Sequence, residues 1–185
     1  MSHWAFQFFS PIILFFLILV DSHFSIFLTG IFSAAIIPVS HLFLIFLMYT
    51  TLKHHLTYLI IMSVLLGIIY DSYFLGVIGI AAAIFPLISL FLYEIRDTVF
   101  QNRWTRIFAT VIIVFTFEIF SYGIEFAFGL TSLAPLTFIS KELAASLVLN
   151  IILATALQWP LEALYQVEKA ENVRKFKKDK NEIFP

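Results

Sequence analysis

Apolar residues fall in long runs separated by short polar breaks. The first run extends from Phe6 to Val20 and stops at Asp21, Ser22, His23 and Phe24. Apolar character then continues from Phe24 to Thr51, more than the roughly 20 residues of one bilayer crossing. Its first part, through Gly30, is expected to form an outer connection or re-entrant piece, and Ser33 to Thr51 a second span. After Lys53, His54 and His55 the pattern predicts a third span over Leu56–Tyr70, ending at Asp71, and a fourth over Leu75–Tyr93. Glu94 to Arg106 is the longest polar interruption inside the bundle. A fifth span covers Ile107–Phe128 and a sixth Ala144–Leu161. The expected fold is therefore an all-α integral membrane protein: a six-transmembrane-helix bundle over 1–161, followed by a polar, basic tail over 162–185. At 1.5 Å per residue the third span reaches only about 22 Å, short of a ~30 Å hydrocarbon core. It must extend into His54–His55 or Asp71–Ser72, or the bilayer must thin locally.

Composition agrees with a lipid environment. The 185 residues are 61% hydrophobic and 12% charged, whereas a soluble domain is about half apolar and a quarter charged. Such a chain cannot cover its surface with polar groups, which excludes a soluble enzyme, a secreted disulfide scaffold and a nucleic-acid module. There are no cysteines, so neither disulfides nor thiolate metal sites can form. The 23 Phe suit a surface that meets acyl chains. Met1–Gln7 carries no Lys or Arg, unlike the leader of a secretory signal, so the first run is read as a retained span.

Cations set the expected orientation. With the amino terminus in the cytoplasm, Lys53, Arg96, Arg103, Arg106, Lys169, Arg174, Lys175, Lys177, Lys178 and Lys180 all fall inside, and only Lys141 falls outside. That split requires an even number of spans and puts both termini in the cytoplasm. The cluster Arg174–Lys180 reads as a stop-transfer, solvated end.

Ionisable groups at membrane depth are costly and therefore informative. Glu118 lies about 18 Å along the fifth helix from Arg106, near mid-bilayer. Ser121, Tyr122 and Glu125 share its face at helical spacing, which directs the stripe at another helix. Asn150, on the descending sixth span, falls at a matching depth, which predicts a hydrogen bond between Glu118 and Asn150. His41, midway along the second span, reads as a satisfied core histidine, and no grouping of acids and histidines indicates a metal or cofactor. Pro38, Pro86 and Pro160 lie within or at the ends of spans, where neighbours re-satisfy the freed carbonyls. Gly67 allows close helix approach. Asp71, at the outer end of the third span, is expected to accept backbone N–H bonds from the turn and to cap the fourth helix. Gly76 and Gly79 supply positive φ in that turn or let the fourth helix pack tightly. No nucleophile-elbow, zinc-protease, P-loop or deaminase signature is present.

The run Gly67-Ile68-Ile69-Tyr70-Asp71-Ser72-Tyr73-Phe74-Leu75-Gly76-Val77-Ile78-Gly79, followed by Pro86-Leu87, resembles the signature of the bacterial rod-shape-determining MreD family. Phe117-Glu118 and Leu149-Asn150-Ile151 also resemble positions that the family fills with Glu and Asn. The resemblance implies a non-catalytic subunit of the cell-elongation (peptidoglycan synthesis) machinery in the bacterial cytoplasmic membrane. It also implies that the chain binds the bitopic protein MreC and other membrane proteins of that machinery, and neither nucleic acid nor a cofactor. Tyr70, Asp71, Gly76, Gly79, Pro86, Glu118 and Asn150 become the candidate partner-binding or bundle-organising residues. The family is in turn similar in fold to the substrate-binding subunits of energy-coupling-factor vitamin transporters, which supplies the alternative function. Those subunits carry an Ala-x-x-x-Ala-type docking face on the first helix. Here that span offers only Ala5 and Ser10 among large apolar residues, which counts against the alternative.

Overall fold

The computed structural model describes residues 3–32 and 35–167, and every regular element in them is helical. α1 (His3–Ile31) is one continuous helix of 29 residues. The break expected at Asp21–Phe24 does not exist, and Phe24–Gly30 is helix rather than a connection. Asp21 interrupts the apolar run without interrupting the helix because its carboxylate points inward and is only 4% exposed.

The second span differs most from expectation. In place of a helix over Ser33–Thr51, whose first residues lie outside the described set, residues 37–41 form an extended strap. α2 (Leu42–Thr50) then follows with only nine residues. Pro38 explains the local choice, since it has no N–H to donate and disfavours the helical conformation of Ile37 before it. α2 is the centre of the molecule. Phe43, Leu44, Ile45, Leu47 and Met48 are all buried, and the helix packs against α1 and against three long helices, Ile80–Val99, Arg103–Ala127 and Ala144–Tyr165.

α3 (Leu56–Tyr70) continues through a π-helical turn, Asp71–Leu75. The short third span therefore gains its missing length on the Asp71 side. α4 (Ile80–Val99) starts and ends later than the apolar run suggested, and Glu94–Val99, expected as loop, forms its last turns. α5 (Arg103–Ala127) begins four residues before Ile107. Asn102 and Thr105 close a reciprocal capping box there: the Asn102 side chain accepts from Thr105 N at 3.0 Å, and Thr105 Oγ1 accepts from Asn102 N at 3.3 Å. The single turn α6 (Pro135–Thr137) and a π-helical stretch, Phe138–Leu143, lead into α7 (Ala144–Tyr165). Among the described residues four stretches are long and apolar enough to cross a bilayer: Phe9–Ile31, Leu56–Phe74, Arg103–Ala127 and Pro135–Tyr165. Phe16, Phe27, Phe108 and Phe120 point outward, as do Trp104 and Trp159. Such an apolar exterior is that of a multi-pass membrane protein.

One end of the bundle is tied by charge. Glu162 accepts from Arg103 Nε at 3.1 Å and Nη2 at 2.9 Å, and also pairs with Arg106. Gln158 donates to the Arg103 carbonyl at 2.8 Å, and Thr50 and Tyr165 share a hydroxyl contact of 3.1 Å. These bonds keep α7 helical past Leu161. The remaining tail, including Arg174–Lys180, lies outside the described residues. Arg106 is nearly buried whereas the Arg103 side chain is 64% exposed, so the two halves of this pairing differ in weight. Glu162→Gln leaves the buried guanidinium short of a counter-charge and is expected to lower stability by about 3 kcal/mol. Arg103→Gln is expected to cost under ~1 kcal/mol. Thermal unfolding in detergent checks the order, and equal effects would overturn it.

Candidate functional site

The Asp71 turn is built from the inside out. α4 begins in the bundle interior, where its first N–H groups have no helical partner. Asp71 supplies them: its carboxylate accepts from Gly79 N at 2.7 Å, Ala81 N at 2.7 Å and Ala82 N at 3.1 Å. The side chain is 0% exposed and faces the positive end of the α4 dipole. Gly76 (φ 64°) and Gly79 (φ 127°) both adopt positive φ, and a Cβ on either would meet open space. Their role is therefore conformational rather than one of close packing, with Gly76 N closing the turn onto the Asp71 carbonyl at 2.8 Å. Close packing falls instead to Gly67, where a Cβ would lie 2.5 Å from Ala82 Cα. Tyr70 stacks on Phe74 at 4.4 Å and meets Phe85 and Phe117 edge-on. Pro86 follows Phe85 within α4, half-buried. The turn presents mainly large side chains outward, with Tyr73 59% and Ile78 67% exposed beside the small Ser72.

The strap is held by the same logic. Asp21 accepts from Ser40 Oγ at 2.5 Å and Leu42 N at 2.8 Å through one oxygen, and from Phe43 N at 2.9 Å through the other. It caps α2 from a neighbouring helix. Ser40 N donates to Ser25 Oγ, Val39 N to Ser146 Oγ and Ile37 N to the Lys141 carbonyl, all between 2.8 and 2.9 Å. Asn150 accepts from His41 N at 2.8 Å and donates to the carbonyls of Val39 and Ser146, each at 2.8 Å. Non-helical backbone at membrane depth is tolerated only where protein satisfies it, and these side chains do so.

Glu118 and Asn150 come to one place, as their depths predict, but the expected bond between them is replaced by shared contact with a third residue. Glu118 Oε1 meets His41 Nε2 at 2.7 Å, while Asn150 takes the His41 backbone. The sequence placed His41 inside a helix, where its N–H would have been used internally; the strap frees that group. His41 and Tyr70 both pack edge-on to Phe117, at 5.3 and 5.6 Å, so strap and turn adjoin.

Beside them lies a polar cavity of about 200 Å³. The stripe read from α5 lines it: Glu118, Ser121, Tyr122 and Glu125, joined by Glu142. Ser121 donates to Glu125 at 3.2 Å, Tyr122 donates to the Leu133 carbonyl at 2.8 Å, and the Tyr122 ring stacks on Phe138 at 4.0 Å. Among the described residues no group of three or more His, Asp and Glu is arranged to hold a metal. The carboxylates of Asp21 and Asp71 are engaged by backbone donors, which leaves them structural rather than acid–base roles.

Sequence reasoning missed Asp21, Ser146 and Glu142. Asp21 was readable in one respect: an apolar run that resumes within four residues of an acid is as consistent with a buried capping carboxylate as with a chain break.

The comparisons with known proteins converge. A family model described as rod shape-determining protein MreD matches residues 2–168. The chain is 33% identical over 150 residues to the cell shape-determining protein MreD of Streptococcus pneumoniae (strain ATCC BAA-255 / R6), an alignment covering 81% of this chain and 91% of that protein. No solved structure matches. The match over nearly the whole chain and the identity to the pneumococcal protein show that the chain belongs to the MreD family of rod shape-determining proteins.

Proposed function

We propose that this protein is a non-catalytic shape subunit of the cytoplasmic membrane that holds the transmembrane helix of MreC and joins it to the cell-elongation machinery. In this reading the chain crosses the bilayer six times, the strap and α2 together making the second crossing. Both termini are cytoplasmic, and residues 162–185 form a cytoplasmic tail. The cation count supports that orientation: Arg103 and Arg106 lie at the end expected inside, and Lys141 at the other.

The observation that carries the reading is the Asp71 turn. A fully buried carboxylate pins a tight loop that two positive-φ glycines permit, and the loop exposes Tyr73, Val77 and Ile78 beside the small Ser72. Recognition between helices in lipid depends on close packing and fixed shape, because apolar burial gives little advantage over lipid itself. A turn pinned in this way suits that demand. Tyr70, Gly76, Gly79 and Pro86 shape the surface from behind, and Glu118 and Asn150 fix the bundle beneath it.

Co-purification with a tagged MreC in detergent tests this. Tyr73→Ala combined with Ile78→Ala is expected to lower recovered MreC at least tenfold while expression and melting temperature stay near wild type. Unchanged recovery would overturn the assignment of the turn, and absence of association in the unaltered protein would overturn the reading.

A further inference from the structure

We propose that the cavity beside the strap binds an organic cation, an ammonium or guanidinium group bearing N–H donors. Tyr70 is 8% exposed and lines the cavity, and no described residue hydrogen-bonds its hydroxyl. A hydroxyl on so nearly buried a side chain ordinarily finds a partner, and the space Tyr70 lines is where one can sit. Glu118 uses one oxygen on His41, and Glu125 uses one on Ser121; each leaves a second oxygen uncommitted. Glu142 accepts no hydrogen bond from any described residue. The hydroxyl donors of Ser121 and Tyr122 are already directed at Glu125 and the Leu133 carbonyl. The wall thus carries acceptors in excess of donors.

Charge points the same way. Glu118, Glu125 and Glu142 line one space with His41, which Glu118 already holds, and neither Lys nor Arg lines it. The remaining wall is aromatic, with rings from Tyr70, Phe117, Tyr122 and Phe138. Carboxylates set among aromatic faces favour a cation through both Coulomb attraction and the ring quadrupole. The volume of about 200 Å³ accommodates the head of a small amine or the end of a basic side chain. The inference does not depend on the orientation of the chain or on the docking of MreC.

The test uses the full chain in phosphatidylcholine nanodiscs, with saturation-transfer NMR of n-butylammonium and methylguanidinium chlorides, sodium chloride at equal ionic strength, and n-butanol as neutral reference. Saturable binding of the cations and none of butanol is expected. Glu142→Gln and Glu125→Gln should each weaken it at least tenfold. Tyr70→Phe, which keeps the ring contacts, should weaken it about threefold, whereas Glu94→Gln, outside the cavity, should leave it unchanged. Melting temperatures of all variants establish that the fold is retained. Absence of saturation, equal binding of butanol, or wild-type affinity in both glutamine variants would overturn the proposal. Carbodiimide coupling in native membranes separates the two sources of such a group. A Glu142-dependent amide to a neighbouring protein identifies a lysine side chain, and a Glu142-dependent amide to a small endogenous amine, found by mass spectrometry of the protein, identifies a free amine.

Discussion

Asp21→Ala is expected to destabilise the folded protein by about 4 kcal/mol. The substitution removes three hydrogen bonds and leaves the N–H groups of Leu42 and Phe43 buried without acceptors. Each orphaned group costs about 1–3 kcal/mol in a protein interior, and loss of a helix cap alone costs about 1 kcal/mol. Asn in the same place retains one carbonyl oxygen and should cost about half as much. His23→Ala, two residues on, removes an exposed contact within the same helix and should fall within ~0.5 kcal/mol of wild type. Unfolding titrations in mixed micelles would order the three. An Asp21→Ala protein no weaker than His23→Ala would show that the strap holds without its carboxylate.

The second large effect is expected at Gly67. An added methyl there would lie 2.5 Å from Ala82 Cα and 2.7 Å from the Ala81 carbonyl oxygen. Both are backbone atoms and cannot turn aside as a flexible side chain can, so α3 and α4 must separate. Separation also stretches the Ser63–Ser89 hydroxyl bond, 2.5 Å at the centre of that helix pair. Overpacking of this kind costs about 3 kcal/mol, and Gly67→Ala should fail to restore rod shape in cells lacking their own copy. Gly123→Ala is the contrast. Its Cβ meets nothing within 4 Å, and removing a glycine from a helix interior should stabilise by about 0.5–1 kcal/mol. Comparable melting temperatures for the two variants would refute the packing argument.

The parts of the fold visible in the sequence were those that depend on local properties. Hydropathy located most of the helices, the place of Asp71 at the end of the third span predicted its bonds to the turn and its cap, and Gly67 announced a close approach. Hydropathy failed where a polar residue serves a distant segment. Asp21 looked like the end of a helix because a sequence cannot show that its partners stand some twenty positions away. Glu94 to Arg106 looked like a loop for a related reason: Arg103 and Arg106 find Glu162 on α7, and the helices continue through their charged ends. In the site, matched depths brought Glu118 and Asn150 together correctly, yet the residue joining them was hidden by the assumption that Ser33–Thr51 is one helix. Pro38 was the local sign that it is not.

The strap has a consequence for how the protein is made. Asp21 and Ser25 can hold Ser40 early, but the partners of Ile37, Val39 and the His41 N–H are Lys141, Ser146 and Asn150, more than a hundred positions later in the chain. During synthesis, Ile37 to His41 leave the ribosome long before those residues exist. Until the last helix enters the bilayer, that stretch must keep water or a chaperone for company. The final insertion step is therefore the one that dries and locks the centre of the molecule, so completeness of the chain is checked by its own first quarter.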